Sequence, residues 1–245
     1  GDLKQITKFP HRKDDDKTGA VVIYEAPYRN EKQQVPINMY VLCHDPYGQN
    51  QSADSTSLGA AYVVKRPNNL SQPDDIIVAS YVGRPQTQDD YNRNLFLLAD
   101  YYGCKIGFEN DRGEVIAYAK RYRKLHKLQE EFEMLDKREL RSKTVKRQYG
   151  MHMTEARKRQ GEIYIRDWLN TVRRTDENGN KLLNLHKIYD LAFLTELMKF
   201  NHHGNFDRVM AFMIAMYHTR ELYNVEVKDV LEDRATDKWF DKNYY

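Results

Sequence analysis

Three acidic residues of this sequence stand where a carboxylate can do chemistry. Asp45 follows the apolar run 37–43 and precedes a Pro-Tyr-Gly turn, and Glu109 lies at the end of the strand-like stretch 104–110. Asp207 stands at the head of a segment rich in Ala and Met. Each has an ordinary explanation alone, because an acid before a turn is commonly solvated and an acid in the first turn of a helix is favoured by the helix dipole. They indicate a functional site only if the fold brings them together.

The chemistry of such a cluster would be metal chemistry. If Asp45 and Glu109 emerge at one end of a sheet and a helix brings in Asp207, three carboxylates repel each other unless cations are bound. Oxygen ligands without a set of thiolates or imidazoles suit Mg²⁺ or Mn²⁺. Two such ions about 3.5–4 Å apart can activate a water and stabilise the leaving oxygen in phosphodiester hydrolysis.

The first half of the chain alternates strand-like runs with turn residues, and this pattern would position Asp45 and Glu109. Four strands are predicted at 21–26, 37–45, 58–66 and 75–83, followed by a helix over 87–102 with Gly103 as its C-cap and a strand over 104–110. A strand, a helix and a further strand in this order predict a crossover connection, with the last strand parallel to an earlier one.

The second half is mostly helical in pattern. The segment 111–172 is long and charged, and its last part, 154–172, is a predicted helix with Thr154 as N-cap. A turn at 176–180 precedes two more predicted helices, at 186–200 and at 205–222 with Asn205 as N-cap. We expect a lead-in or linker over 1–19, one α/β domain over 20–223 and an acidic C-terminal tail over 224–245.

Composition excludes several classes of protein. The 245 residues have a formal net charge of +3, and the two cysteines, Cys43 and Cys104, lie inside apolar runs. This pattern is typical of buried free thiols in a reducing compartment rather than a disulfide framework. No stretch approaches the ~20 apolar residues of a membrane span, so no membrane partner is expected. The chain begins with Gly1, and we expect it to be a piece of a longer polypeptide.

Basic residues are concentrated in the segment Arg112–Arg159, which has 15 Lys or Arg against 7 Asp or Glu. Such an excess can follow a DNA backbone through phosphate contacts that carry no sequence information, although a solvated helical face is the simpler explanation. The candidate DNA-binding residues are Lys120, Arg121, Arg123, Lys124, Lys143, Lys146, Arg147, Arg157 and Lys158.

The order of these motifs resembles the C-terminal nuclease domain of the large terminase subunit of tailed phages, which has a ribonuclease H-like fold. The first motif is an apolar strand ending in Asp, then Pro and Gly, then a further Asp: "VLCHDPYGQNQSADSTSLGAAYVV". The second is "LLADYYGCKIGFENDRG", and the last is a Glu-Leu helix, a loop and Asp at the head of a helix, "LTELMKFNHHGNFDRVMAFMIAMYH". The resemblance covers roughly residues 20–223.

The resemblance implies a fold, an activity and partners. The fold would be α/β with a mixed central sheet flanked by helices, and the activity would be cleavage of double-stranded DNA during genome packaging by two Mg²⁺ or Mn²⁺ ions. Asp45, Glu109 and Asp207 would be the catalytic metal ligands, with Asp45 shared between the ions. The partners would be the ATPase domain, whose phosphate-binding loop is absent from this sequence, the small terminase subunit and the portal of the procapsid. The setting would be the cytoplasm of the infected bacterial host.

Two further residues are candidates for an outer shell. Asp54 matches the additional Asp of the first motif, and His203 lies in the loop before Asp207, although a surface role for this histidine is the simpler explanation. Many members of the family carry a second acid beside the last one, where this chain has Phe206, so the fourth metal ligand is open.

Two other functions remain open. One is a resolvase or transposase-like nuclease on the same fold, which a preference for branched DNA or strand transfer would reveal. The other is a module that grips DNA or docks a partner without catalysis, which would follow if the three acids did not meet in space.

Overall fold

The computed structural model describes residues 18–47, 58–67, 74–110, 113–132, 149–201, 204 and 206–243, with side chains of the last helix up to residue 224 and at Glu226. Five strands form the central sheet: β1 Ala20–Ile23, β2 Tyr40–Asp45, β3 Gly59–Lys65, β4 Ile76–Gly83 and β5 Ile106–Phe108. A separate hairpin consists of β6 Val172–Thr175 and β7 Lys181–Leu183.

The strand order of the sheet is β1-β4-β3-β2-β5. Neighbouring strands from β1 to β2 are antiparallel, whereas β5 runs parallel to β2. The connection from β4 to β5 contains the helix α1, Gln88–Tyr102. The predicted crossover and the α/β class with a mixed central sheet are therefore confirmed.

Helices cover both faces of the sheet, which explains why β2, β3 and β4 are buried along almost their whole length. One face packs against α1 and against α2, Glu114–Arg121. The opposite face packs against three helices, α3 Glu155–Leu169, α4 Leu191–Lys199 and α5 Asp207–Asn243.

Helix α1 ends at the predicted residue and begins one residue after the predicted start, and both of its caps are local. The side chain of Thr87 accepts a hydrogen bond from the backbone N–H of Asp90 at 3.1 Å. Gly103 ends the helix with φ +61°, a left-handed conformation that residues with a Cβ rarely adopt. Thr154 likewise caps α3, as predicted, by accepting from the backbone N–H of Arg157.

Two predicted helix boundaries are wrong. The helix expected over 186–200 is divided into a 3₁₀ turn, Asn184–Lys187, and the shorter α4, which the side chain of Asp190 caps. The helix expected to end at 222 runs on to Asn243, through most of the predicted acidic tail. The expected N-cap Asn205 and the lead-in residues 1–17 lie outside the described residues, and the domain boundaries remain predictions.

Cys43 and Cys104 are both buried and are not joined by a disulfide. Over the described ranges, no helix combines the length and apolar character that crossing a bilayer would need.

The continuation of α5 beyond residue 223 is attached to the sheet through an ion pair. Arg66 follows β3 and is buried, and its Nη2 lies 2.8 Å from Oε2 of Glu226. Its Nη1 donates both to Oε1 of Glu226 and to the backbone carbonyl of Asn38. The two parallel hydrogen bonds to one carboxylate give this contact a defined geometry.

We expect Glu226→Ala to lower the free energy of unfolding by about 1 kcal/mol, because it leaves the buried Arg66 guanidinium with fewer partners. Chemical denaturation would measure the change. Glu31→Ala is the control, since Glu31 is exposed and has no ion pair among the described residues. Equal stability of the two variants would contradict the attachment.

Candidate active site

Asp45 and Glu109 lie side by side at one end of the sheet. In the parallel pair of β2 and β5, His44 is opposite Phe108, and Asp45 and Glu109 are the residues that directly follow this last pair. Both acids are partly exposed at this end. The end of the sheet that contains Asp45 and Glu109 is called the acidic edge below.

Both acids also belong to the same face of the sheet. Two residues before Asp45, the Sγ atom of Cys43 lies 3.6 Å from Nδ1 of His218, a residue of α5. A Cβ atom at Gly107, two residues before Glu109, would lie 3.3 Å from the same nitrogen. Because side chains two residues apart in a strand lie on one face, Asp45 and Glu109 are on the face covered by α5.

Asp207 is joined to the acidic edge through the backbone of β3. Its Oδ2 atom accepts a hydrogen bond of 2.8 Å from the backbone N–H of Leu58, just before Gly59 begins β3. Asp45 pairs with Ala60, so Leu58 is two residues beyond that pair at the same end of the sheet. Asp207 is 9% exposed, which makes it the most buried of the three acids.

The start of α5 is held by an acid from another helix. Oε2 of Glu196, in α4, accepts from the backbone N–H groups of Arg208 at 3.0 Å and Val209 at 3.4 Å. Oε1 of the same side chain accepts from Nη1 of Arg208 at 2.7 Å. Glu196 therefore satisfies N-terminal donors of α5 that a local cap usually satisfies, while Asp207 binds the Leu58 backbone.

Tyr91 approaches the acidic edge from the α1 side of the sheet. It is 1% exposed, and its ring stacks on Tyr81 with centroids 4.7 Å apart. Burial raises the pKa of Tyr91 well above its usual value, and the nearby Tyr81, Asp45 and Asp207 raise it further. The hydroxyl group is therefore neutral and lies within electrostatic range of two of the three acids.

His44 lies on the face opposite to Asp45, as strand alternation predicts. Its ring is 6.0 Å from the rings of both Tyr91 and Phe108, and it is completely buried. Burial lowers the pKa of His44 to about 3, so the imidazole is neutral at physiological pH. Neither ring nitrogen has a hydrogen-bond partner in the described part of the chain.

The three acids share an edge but do not form a closed cluster. Within the described ranges, no group of three or more His, Cys, Asp or Glu side chains could hold a metal ion. The residues nevertheless suit a hard divalent cation by type, since Asp45, Glu109 and Asp207 supply only oxygen ligands and the buried Tyr91 hydroxyl has no partner beside them. Asp54 and His203 lie outside the described residues, so their predicted roles remain predictions.

The predicted DNA-binding residues fall into different environments. Arg121, Lys124 and Lys158 are ion-paired with Asp89, Asp100 and Glu155, respectively. Arg157 is 7% exposed and donates to the backbone carbonyl of His152, which does not favour a contact with DNA. Lys120 and Arg123 are exposed, whereas Lys143, Lys146 and Arg147 lie outside the described residues.

Sequence reasoning missed three residues at or beside the acidic edge: Tyr91, Glu196 and Arg84. Arg84 directly follows Gly83, which pairs with Gly59, and its guanidinium carbon is 5.3 Å from the ring centroid of Tyr47. An Arg immediately after a core strand that ends at the same edge as Asp45 is a signal that could have found it. Glu196 belongs to the Glu-Leu helix of the last motif, but nothing local indicates that it caps α5, and Tyr91 has no such signal.

Two solved structures resemble the chain over most of its length. One is the large terminase nuclease from thermophilic phage G20c with bound zinc, 14% identical, covering 82% of this chain and 88% of that chain with a TM-score of 0.48. The other is the same nuclease with bound magnesium, 12% identical, covering 82% and 89% with a TM-score of 0.43. No family model and no curated protein matches the sequence. Such low identities and TM-scores establish neither membership of a family nor the role of any residue.

We expect Glu196→Ala to lower the free energy of unfolding by about 2 kcal/mol, because it removes the acceptor for two backbone N–H groups and the partner of Arg208. Thr195→Ala, one residue earlier in α4, is the control and should cost much less, since Thr195 is exposed and its hydroxyl donates to the backbone carbonyl of Leu191 in the same helix. Thermal and chemical unfolding would compare them. A loss no larger than that of the control would show that Glu196 does not hold α5.

Proposed function

We propose that this chain is a metal-dependent endonuclease that cleaves double-stranded DNA during phage genome packaging, as the nuclease domain of a large terminase subunit. The observation that carries the nuclease proposal is the parallel register that sets Asp45 beside Glu109, with Asp207 bonded to the same edge through Leu58. The packaging role rests on the order of the three sequence motifs.

Asp45, Glu109 and Asp207 would hold two Mg²⁺ or Mn²⁺ ions. The ions would supply Lewis acidity for the attack of water on phosphorus and for the departure of the 3′-oxygen. Asp45 lies between its neighbours in the sheet, since β2 is flanked by β3 and β5, and is therefore the acid best placed to be shared between the ions. Glu109, which follows β5, would bind one of the two ions, and Asp207, which is bonded to the backbone beside β3, would bind the other.

The DNA backbone would be held by positive charge at the acidic edge. Arg84 lies at this edge over Tyr47, and a guanidinium group can donate two parallel hydrogen bonds to a phosphate. The exposed Lys120 and Arg123 and the undescribed Lys143, Lys146 and Arg147 remain candidates for further phosphate contacts. Contacts of this type give affinity without sequence preference.

The further partners follow from the sequence motifs. An ATPase domain on the same polypeptide would power the translocation of the DNA. The small terminase subunit would recognise the DNA, and the portal would be the opening through which it enters the procapsid. The setting would be the host cytoplasm at the procapsid. A non-catalytic module that grips DNA or docks a partner is the second candidate function, favoured by the hydrogen bond that already engages Asp207 and by the absence of a closed acidic cluster in the described residues.

Nicking of supercoiled plasmid distinguishes the two candidates. We expect the wild type to nick with Mg²⁺ or Mn²⁺ and not with EDTA, and we expect Asp45→Ala to reduce nicking to the EDTA background because a metal ligand is lost. Asp167→Asn is the control, since Asp167 is an exposed acid of α3 paired with Arg220. Folded wild type that binds DNA but nicks with neither metal would favour the docking module, and full activity of Asp45→Ala would exclude Asp45 from the site.

Arg84→Gln tests the proposed phosphate contact. We expect weaker binding to duplex DNA of any sequence and a plot of log K against log salt that is shallower by about 1, because one phosphate contact is lost. Fluorescence anisotropy over a salt series would measure both. Arg29→Gln, in the exposed loop before the opposite end of β2, carries the same change of charge and should bind like the wild type. An unchanged slope for Arg84→Gln would remove this residue from the interface.

A further inference from the structure

The Tyr91 hydroxyl is a buried polar group that the fold itself does not use. It has no hydrogen-bond partner among the described residues, although the residue is only 1% exposed. Leaving a buried hydroxyl unsatisfied destabilises the folded state. A phenylalanine would keep the stacking on Tyr81 and the edge contact with Tyr47 without this cost. The hydroxyl therefore needs an explanation other than packing.

The phenol end of Tyr91 is directed at the acidic edge. A Cβ atom at Gly59 would lie 2.5 Å from Cε2 and 2.6 Å from Cζ of Tyr91, so the ring lies directly against the first residue of β3. Cζ is the atom that carries the hydroxyl. Both neighbours of Gly59 lie next to an acid. The backbone N–H of Leu58 donates to the side chain of Asp207, and Ala60 is paired with Asp45 in neighbouring strands.

The ring is held in this direction from several sides. Tyr81 stacks on it, Tyr47 meets it edge-on with centroids 5.5 Å apart, and His44 lies 6.0 Å away. His44 and Tyr47 flank Asp45 in the chain, so the same packing orients the end of β2 and the Tyr91 ring. Only glycine at position 59 leaves room for this approach. Because its pKa is raised, the Tyr91 hydroxyl stays protonated and can donate a hydrogen bond.

We propose that Tyr91 is a positioning residue of the proposed nuclease site: when the acids bind metal ions, its hydroxyl donates a hydrogen bond to a carboxylate oxygen of Asp45 or Asp207 and orients that acid. This inference rests on the proposed function. Hydrogen bonds from outer residues commonly orient metal ligands, and losing one typically weakens metal affinity or activity 10–100-fold. Tyr91 does not touch DNA in this proposal, because its side chain is enclosed.

Tyr91→Phe tests the inference because it removes one oxygen atom and keeps the ring. We expect its melting temperature in EDTA to equal or exceed that of the wild type, since an unsatisfied buried hydroxyl is lost. We expect its rate of plasmid nicking at saturating Mg²⁺ to fall about 10-fold and its half-saturating Mg²⁺ concentration to rise by a similar factor. The rise of the melting temperature with added Mg²⁺ or Mn²⁺, which needs no activity, should likewise require more metal.

Tyr81→Phe is the matched control. Tyr81 lies in the same stack, but its hydroxyl accepts a hydrogen bond from Asn94 of α1. This variant should lose some stability and keep the nicking rate and the metal dependence of the wild type. Opposite effects of the two substitutions on stability and on metal dependence would support the proposal.

Three results would overturn the inference. The first is a Tyr91→Phe variant that nicks and responds to metal within twofold of the wild type. The second is a loss of activity that follows a loss of stability in EDTA, because Tyr91 would then be structural. The third is a wild type whose melting temperature does not respond to either metal. If the wild type binds metal through Asp45 but does not nick, the proposed function fails, and the metal dependence of Tyr91→Phe still decides the inference.

Discussion

The parallel pairing of β5 with β2 is the constraint on which the candidate site depends. Parallel strands end at the same edge, so Asp45 and Glu109 meet only because α1 carries the chain back across the sheet before β5 begins. A register shift of one residue would move Glu109 to the opposite face, away from Asp45 and α5. The caps at Thr87 and Gly103 set the length of α1, and thereby where β5 begins relative to β2.

The third acid depends on contacts of a different kind. Asp207 is not at a strand end, and its position relative to the acidic edge comes from the Leu58 backbone on one side and from the capping of α5 by Glu196 on the other. The close approach of α5 to the sheet also matters, since Gly107 leaves space for Cys43 and His218 where a side chain would clash. The packing of α5 on the sheet therefore also determines where Asp207 lies relative to the acidic edge.

The sequence predicted those features whose cause is local. The apolar runs predicted β2 to β5, and Thr154 and Gly103 predicted one helix start and one helix end, because a cap and the backbone groups that it bonds lie within a few residues of each other. Features whose cause is distant were missed. Glu196 caps a helix that begins eleven residues later. Tyr91, a residue of α1, packs against the first residue of β3. Helix α5 continues past residue 223, where Glu226 forms an ion pair with Arg66.

The hydrogen bond between Asp207 and Leu58 determines how the acids can act. A carboxylate has about four acceptor positions on its two oxygens, and the bond from the Leu58 N–H uses one of them and helps to hold the side chain in one orientation. The bond also keeps Asp207 at β3, on the opposite side of Asp45 from Glu109. In the proposed site, the register of the strands already sets the backbone at Asp45 and next to Glu109, so the arrangement of the acids would depend on their side chains. Interactions that guide these side chains, rather than the backbone, would decide how readily the site forms, and the unsatisfied hydroxyl of Tyr91 lies where it can provide one.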